Sequence, residues 1–330
     1  MMQNKLEIFV DSGAPSLYNT LSRRNKGAGY MGSFIQDRKY DDFSWLDTQV
    51  YRDYRDAYIA FIKKYIDVID VYANLDIVNN AEHTWENQQY MEAHGLKPIP
   101  VFHLGCDTKW LRMYLEKGYE YIAMGGMVPN PPSVLIPALD NLWSEYFTNR
   151  NGLAIIKVHG FAITSAKMVT RYPWYSVDST SWVKFGKYGI VCVPVKRKGK
   201  YDYTRSAHNI VVSNRSPSQK DIGKHISNFS EAERNQILKY FDEKGYILGH
   251  SEFKTVEGNY ELQEGERFAS GKKGEERREV ELIVEPGLSN DYRIRDQINI
   301  EYYLDLEKSV PEWPWVFKHK KQVTGFGFFK

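Results

Sequence analysis

The sequence predicts an α/β fold, namely a (β/α)8 TIM-like barrel with an elaborated C-terminal part. Short apolar runs alternate with stretches of helical spacing over residues 1–200, which is the order expected of parallel strands joined by helices. Almost every run ends at a Gly, Asp or His, and in a barrel these strand ends share the face that carries active sites. A doubly wound sheet also binds ligands at strand ends. We favour the barrel because the chain has no Gly-x-Gly-x-x-Gly motif.

Seven strands are predicted from the apolar runs. They lie at 6–10, 66–75, 98–102, 121–124, 153–158, 174–178 and 190–195. Helices are predicted at 48–65, 81–94, 110–115, 139–147, 164–170 and 230–244. In the first helix, apolar side chains recur at helical spacing, and the last begins with an acidic turn and stops at Gly245. The polar segment 19–47 reads as a long loop, a feature that is usually functional or mobile.

The residue composition changes after the strand at 190–195, and this change divides the chain into two regions. Residues 1–200 are predicted to form the barrel core with the active site, and residues 201–330 to complete the barrel and add nucleic-acid-binding elements. Cations interleaved with tyrosines suit contact with a nucleic-acid backbone, although a solvated hairpin is an equally good reading. These cations are Lys196, Arg197, Lys198, Lys200 and Arg205. Residues 264–281 are highly charged and predict an exposed loop or hairpin, and the tail 313–330 is basic and aromatic.

Composition limits the class of protein. The 330 residues are 42% hydrophobic and 26% charged, with a net charge of +2, which indicates a globular protein without a globally basic coat. The two cysteines, Cys106 and Cys192, exclude a disulfide framework and a four-thiolate zinc site. No apolar run has the length of a membrane span or the form of a signal peptide. We therefore expect a soluble, cytoplasmic protein with no membrane partner.

Three carboxylates, Asp11, Asp76 and Asp178, are expected on the strand-end face. Two carboxylates on opposite sides of a reacting carbon can divide the work of breaking a glycosidic bond, and a third can accept hydrogen bonds from a heterocycle. Asp178 lies among hydroxyl residues and between Trp174 and Trp182. That setting suits a nucleophile, and the alternative is a buried Asp that caps the following turn.

Glycines and histidines complete the face. Gly125 and Gly126 would let the backbone approach a flat ligand closely. His103 and His159 could contact the edge of a base or act as structural donors. No helical His-x-x-x-His or other strong metal spacing occurs, so we predict no metal.

In chain order, these segments resemble the tRNA-guanine transglycosylase family, the enzymes that insert queuine and archaeosine precursors. Asp11-Ser-Gly13 resembles the family's Asp-Ser-Gly-Gly segment, and Asn74-Leu-Asp76 resembles the strand end that reads the base. Tyr121-Ile-Ala-Met-Gly-Gly-Met127 is similar to the Gly-Gly-Leu segment, and Ser176-Val-Asp178 falls at the place of the nucleophile. The resemblance covers residues 6–195, and its order makes it more specific than any single motif.

The chain also departs from that family. Ala14 replaces the second Gly of the first motif, His103 replaces a Gln, and the Cys-x-Cys-x-x-Cys…His zinc site is absent. Because the zinc subdomain helps the tRNA enzymes hold tRNA, tRNA is less expected than DNA as the partner. The sequence more closely resembles the bacteriophage DpdA-type enzymes, which place 7-deazaguanines in DNA. His159-Gly-Phe161 and the stretch 172–182 carry that resemblance.

The resemblance implies exchange of guanine in DNA for a 7-deazaguanine such as preQ0 (7-cyano-7-deazaguanine), without a cofactor, in the cytoplasm of a phage-infected host. It implies Asp178 as the nucleophile and Asp11 as the general acid/base. The implied base-binding residues are Ser12, Asp76, His103, Gly125, Gly126, Met127 and His159. A tRNA-guanine transglycosylase, an N-glycoside hydrolase and a non-catalytic nucleic-acid-binding protein stay open as alternatives.

Overall fold

The computed structural model describes residues 7–14, 16–17, 43–128, 130–213, 224–270 and 274–319. The chain forms two compact units, Met1–Asp178 together with Glu312–Lys330, and Ser179–Pro311. The stretch 179–200, which the sequence assigned to the barrel core, therefore belongs to the second unit. Most of the predicted loop 19–47 and most of the basic tail lie outside the described residues. Within the described ranges, no helix combines the length and apolarity needed to cross a bilayer.

In the described part of the first unit, six parallel strands in chain order form the sheets. They are β1 Phe9–Val10, β2 Val71–Tyr72, β3 Val101–His103, β4 Tyr121–Gly125, β5 Lys157–Gly160 and β6 Ser176–Val177. β1 pairs with β2, and β3 to β6 form a four-stranded sheet. A parallel bridge between Ala73 and Ile99 joins the two sheets. Sequential parallel strands are the arrangement that the alternating βα pattern predicts.

A 3-10 helix at Ser44–Asp47 precedes the first of the α-helices. These helices connect the strands. They are α1 Gln49–Lys64, α2 Ala81–Ala93, α3 Lys109–Glu116, α4 Pro132–Leu142, continued by a π-helical turn at Trp143–Phe147, and α5 Ala166–Val169. The predicted helices at 48–65, 81–94, 110–115 and 164–170 are confirmed. α4 begins earlier than predicted because Pro132 occupies its first turn, where a missing N–H removes no helical bond.

The sheet is strongly curved. The ring of Phe9 on β1 stacks on His159 of β5 at a centroid distance of 4.2 Å, although β2, β3 and β4 lie between these strands. The small side chains of Ala73, Val101 and Ala123 pack in the same cluster as Phe9 and Phe161. A barrel requires such curvature. Among the described residues the recorded pairings do not close a ring, so the (β/α)8 barrel stays a prediction.

Helices cover other strand residues in larger clusters. In one of them Leu139 and Trp143 pack with Ile122 and Val158, and all four side chains are fully buried. Burying an aliphatic side chain of this size contributes about 1.5–3 kcal/mol. A second cluster packs α1 and α2 beside Leu75. These clusters fix the positions at which the strands end.

The second unit contains antiparallel strands. They are β7 Ile190–Val193, β8 Val195–Arg197, β9 Lys200–Asp202, β10 His208–Val211, β11 His250–Glu257, β12 Glu266–Ser270 and β13 Arg277–Glu285. β7 pairs with β10, β8 with β9, and β13 lies between β11 and β12. The charged stretch 264–281 thus contributes to an antiparallel pair of strands, as the hairpin reading expected. The helices are α6 Ser181–Lys187, α7 Glu231–Glu243 and α8 Tyr292–Lys308, and Ile226–Asn228 forms a 3-10 helix.

The expectation that residues 190–195 form the last parallel strand is wrong. β7 pairs antiparallel with β10, and Asn299 of α8 binds backbone groups of the same strand. Its Oδ1 accepts from the Cys192 amide at 2.8 Å, and its Nδ2 donates to the Ile190 carbonyl at 3.0 Å. These side-chain bonds satisfy buried backbone groups that would otherwise need a neighbouring strand.

Candidate active site at the strand ends

Asp11 follows β1 directly and begins an irregular segment that continues to Gly13. Gly13 has φ of +70°, a left-handed conformation that glycine adopts readily. The hydroxyl of Tyr54 on α1 donates to the Ser12 carbonyl at 2.7 Å. A Cβ at residue 13 would lie 2.8 Å from that hydroxyl oxygen, so the site requires glycine. The hydrogen bond from Tyr54 holds the residue after Asp11 at the end of β1.

Asp76 is buried and is held by two side chains. Ser12 donates its hydroxyl to Oδ1 at 3.0 Å, and Nε2 of His103 lies 2.8 Å from Oδ2. Each carboxylate oxygen still has a second lone pair, so Asp76 can accept further hydrogen bonds. A Cβ at Gly125 would lie 2.8 Å from Cδ2 of His103. Glycine at that position therefore leaves the space that the imidazole occupies.

Asp178 follows β6, and its side chain is 46% exposed. Its Oδ1 accepts a hydrogen bond from the Ala162 amide at 2.9 Å, and the same oxygen lies 3.5 Å from Nε2 of His159. Ala162 has φ of +60°, which is uncommon for a residue with a Cβ and recurs at functional sites. The alternative of a buried Asp that caps the next turn is wrong, because this carboxylate is exposed.

Trp174 was expected to flank Asp178, but its indole lies in the core. It packs edge-on against Trp143 at 5.2 Å and donates its N–H to the Met168 carbonyl at 3.1 Å. It is 6% exposed, so it offers no stacking surface for a flat substrate.

His159 is fully enclosed next to Asp178. Its ring stacks on Phe9, and Phe161 meets it edge-on at 4.7 Å. Nδ1 lies 2.6 Å from Oγ of Ser176, and that oxygen lies 2.6 Å from the hydroxyl of Tyr121. Phe9 could have been found from the sequence, because it lies two residues before Asp11 and alternate residues of a strand face the same side. The contacts of Tyr121 and Ser176 had no comparable signal.

The backbone of residues 125–127 lies beside His103. Gly126 has φ of +74°, and a Cβ there would lie 3.1 Å from the Leu104 amide nitrogen. The Leu104 amide donates to the Gly125 carbonyl at 2.9 Å. Met127 is 2% exposed and packs in the core with Leu104 and Leu135. Only the backbone of Met127 is thus available to a ligand.

The three carboxylates interact electrostatically. The pKa of Asp11 is raised from 3.8 to about 6, first by loss of hydration and then by repulsion from Asp76 and Asp178. Asp11 is exposed by area, but protein atoms surround its carboxyl group closely enough for desolvation to dominate. The amides of Gly13 and Ser12 donate to it and partly offset the rise. A carboxyl group with a pKa near 6 can both give and take a proton close to neutral pH.

Ser12 and His103 thus contact Asp76 directly, and Asp11 interacts with Asp76 through its charge. Asp178 and His159 lie side by side. Asp178 is also close enough to Asp11 to raise its pKa. In the part of the chain that the structure describes, no group of three His, Cys, Asp or Glu side chains could hold a metal ion.

The predicted nucleic-acid contacts lie in the second unit, four of them on the β8–β9 hairpin and Arg205 just after it. Lys198 and Gly199 at its tip both have positive φ, +48° and +80°, as a two-residue type I′ turn requires. Arg197, Lys198 and Lys200 are exposed and line an open groove of about 400 Å³ with Tyr201, Tyr203 and Ser309 among its other walls.

The two remaining predicted cations have other partners. Lys196 lies over the ring of Tyr201 at 5.2 Å, and Arg205 lies 3.5 Å from Asp202. Three of the five predicted cations therefore face the groove.

Comparison with protein-family models, curated proteins and solved structures finds no match to this chain. Functional assignment therefore depends on the side-chain geometry of the strand-end site.

Proposed function

We propose that the chain is a transglycosylase that exchanges guanine in DNA for a 7-deazaguanine through a covalent bond between Asp178 and the sugar. One observation carries this proposal: Asp11, Asp76 and Asp178 lie at the ends of parallel strands and are close enough for two of them to raise the pKa of the third. Paired carboxylates of which one is exposed and one has a raised pKa suit glycosidic chemistry.

In the first step Asp178 attacks the sugar. Its Oδ1 is held by the Ala162 amide, which leaves Oδ2 to form a bond with C1′ of a target guanosine. The guanosine must first leave the base stack, at a cost of a few kcal/mol. The C1′–N9 bond breaks, its electron pair departs with guanine, and Asp11 supplies the proton. The products are free guanine and a glycosyl ester of Asp178.

In the second step a 7-deazaguanine such as preQ0 replaces guanine. Asp11, now ionised, takes the N9 proton as N9 attacks C1′, and the ester bond breaks to restore the Asp178 carboxylate. The two steps balance without a redox cofactor or a nucleoside triphosphate.

Recognition of the base is assigned to Asp76 and the backbone at 126–127. Ser12 and His103 hold the Asp76 carboxylate, so its remaining lone pairs can accept from a ring N–H and an exocyclic amino group. The Arg197, Lys198 and Lys200 groove is assigned to phosphate oxygens of the nucleic acid.

Mass spectrometry of nucleosides tests the proposal. DNA, and separately tRNA, is incubated with the protein and preQ0, then digested and analysed. The proposal expects DNA in which preQ0 nucleoside replaces deoxyguanosine. Replacement only in tRNA would make the chain a tRNA enzyme, and free guanine with abasic sites would make it a hydrolase. Unchanged DNA and tRNA would favour the alternative of a non-catalytic nucleic-acid-binding protein.

A further inference from the structure

Four polar side chains form a line that ends at the proposed nucleophile. Tyr121 of β4, Ser176 of β6 and His159 of β5 are joined by two contacts of 2.6 Å. His159 then faces Asp178 with 3.5 Å between Nε2 and Oδ1. That separation is long for a hydrogen bond, as catalytic hydrogen bonds often are before substrate binds. Among the described atoms, this buried Nε2 has no hydrogen-bond partner.

The direction of the hydrogen bonds follows from the carboxylate at one end. A carboxylate offers only lone pairs, so Nε2 of His159 can donate to Asp178 only if it carries a proton. With a single proton on the ring, Nδ1 is the acceptor, Ser176 donates to it, and the Ser176 oxygen accepts from Tyr121. Burial raises the pKa of Tyr121 to about 12, so its hydroxyl keeps the proton that this direction requires. The opposite tautomer would point a lone pair at Oδ1.

The packing around His159 restrains its ring. It is 2% exposed, and Phe9 and Phe161 occupy one face and one edge. Nδ1 contacts Ser176 and Nε2 faces Asp178, so neither ring nitrogen is directed at a substrate base. The sequence assigned His159 to base binding, whereas its surroundings suit a residue that acts through Asp178.

We propose that Tyr121, Ser176 and His159 are positioning residues that orient Asp178 for attack. This inference rests on the proposed function. The Nε2–H of His159 adds to the Ala162 amide as a donor to Oδ1, so that Oδ2 faces the sugar. The same donor stabilises the carboxylate that is released when the ester bond breaks. Ser176 fixes the tautomer that this role needs, and Tyr121 fixes the direction of the Ser176 hydroxyl.

Substitution of Ser176 tests the chemical part of the inference. Ser176→Ala removes the hydroxyl and leaves the His159 ring enclosed, whereas Ser176→Thr keeps a hydroxyl. We expect Ser176→Ala to lower kcat for base exchange on the order of 10–100-fold, the loss typical of a slightly misplaced reacting group, with the KM for preQ0 unchanged. Ser176→Thr should recover most of kcat, and Tyr121→Phe should lose less than Ser176→Ala. Wild-type kcat in Ser176→Ala, or equal losses in the Ala and Thr variants, would overturn the inference.

Nuclear magnetic resonance tests the structural part without any activity. Long-range ¹⁵N–¹H correlation spectra identify the protonated nitrogen of each imidazole, and contacts with the Phe9 ring assign His159. The expected result is the Nε2–H form in the wild type and a mixture of tautomers in Ser176→Ala. The Nδ1–H form in the wild type would refute the proposed direction of the hydrogen bonds from Tyr121 to Asp178. If the wild type exchanges no base but shows the Nε2–H form, the proposed function fails and the hydrogen-bond arrangement stands.

Discussion

Nε2 of His103 lies 2.8 Å from Oδ2 of Asp76, and both side chains are buried. The contact joins the end of β3 to the segment after β2, and Gly125 on β4 leaves the space for the imidazole. Three neighbouring strands therefore determine the position of one carboxylate. Removing one partner of a buried pair leaves the other without its hydrogen bond, at a cost of about 1–3 kcal/mol.

Gly125→Ala should destabilise the protein through His103. The added Cβ would lie 2.8 Å from Cδ2 of that ring, and overpacking of this kind costs about 1–3 kcal/mol. In a His103→Ala background the obstacle is gone, so the second substitution should add less than about 0.5 kcal/mol. Urea unfolding of the wild type, both single variants and the double variant measures the coupling. Strictly additive free energies of unfolding would contradict the assigned contact.

Asp178→Asn should abolish base exchange and leave the fold intact. The side chain is 46% exposed, so the melting temperature should hardly change, while loss of the nucleophile should lower kcat by at least about 10⁴-fold. Exchange of labelled guanine measures the activity. Asp140→Asn is the matched control, because Asp140 accepts two hydrogen bonds from Arg171 and should lose stability while keeping exchange. Retained exchange in Asp178→Asn would show that Asp178 is not the nucleophile.

The pH dependence of exchange should report Asp11. In the proposed mechanism the free enzyme needs a protonated Asp11 to assist departure of guanine, and the pKa of this group is about 6. We therefore expect kcat/KM to fall as pH rises through about 6, because kcat/KM reflects the ionisation of the free enzyme. A profile that is level from pH 5 to 8 would exclude Asp11 as the acid.

Asp11→Asn should stabilise the protein at neutral pH. The pKa of Asp11 is raised on folding from 3.8 to about 6, so the folded state binds the proton more tightly, and the stability that protonation contributes is lost as pH rises through the folded pKa. Asp11→Asn has no carboxyl group to ionise at this position, so its stability does not fall in this way as pH rises. Its advantage in melting temperature over the wild type should be present at pH 7–8 and should disappear below pH 4. A difference that is the same at every pH would show that charge is not the cause.

The exposed cations of the β8–β9 hairpin should contribute to DNA affinity through phosphates. Each phosphate contact changes the slope of log K against log [salt] by about 0.7–0.9. Replacing Arg197, Lys198 and Lys200 by Gln should thus reduce that slope by about 2–3, as measured by fluorescence anisotropy at several salt concentrations. The control is a triple Gln variant of exposed lysines elsewhere: Lys63, Lys64 and Lys97. Equal effects of the two triple variants would exclude a specific role for the hairpin.

Features set by neighbours in the sequence could be predicted, and those set by distant residues could not. The helix at 49–64 has apolar spacing and a capping Thr48, both of which can be read locally. The pairing of β7 depends on β10 and on Asn299, which is 107 residues from Cys192, and no local pattern reports such contacts. α4 was predicted to begin at residue 139, whereas it begins at Pro132, where a proline is compatible with a helix, and it continues through Pro137.

The same distinction holds within the site. Asp11, Asp76 and Asp178 could be selected because each follows an apolar run, and the structure brings Asp11 close to the other two. The environment of His159 could not be predicted, because Tyr121 and Ser176 reach it from two other strands. His159 was assigned as a base contact from its residue type, its place at a strand end and the family resemblance, whereas Nδ1 contacts Ser176 and Nε2 faces Asp178.

The small side chains of Ala73, Val101 and Ala123 have a consequence for ligand size. They pack with the rings of Phe9 and Phe161, so protein atoms fill the space beside these strand residues, and well-packed interiors do not open without a loss of stability. If the chain exchanges bases as proposed, no part of the incoming base can enter this cluster, and a larger substituent on a 7-deazaguanine has to extend away from it.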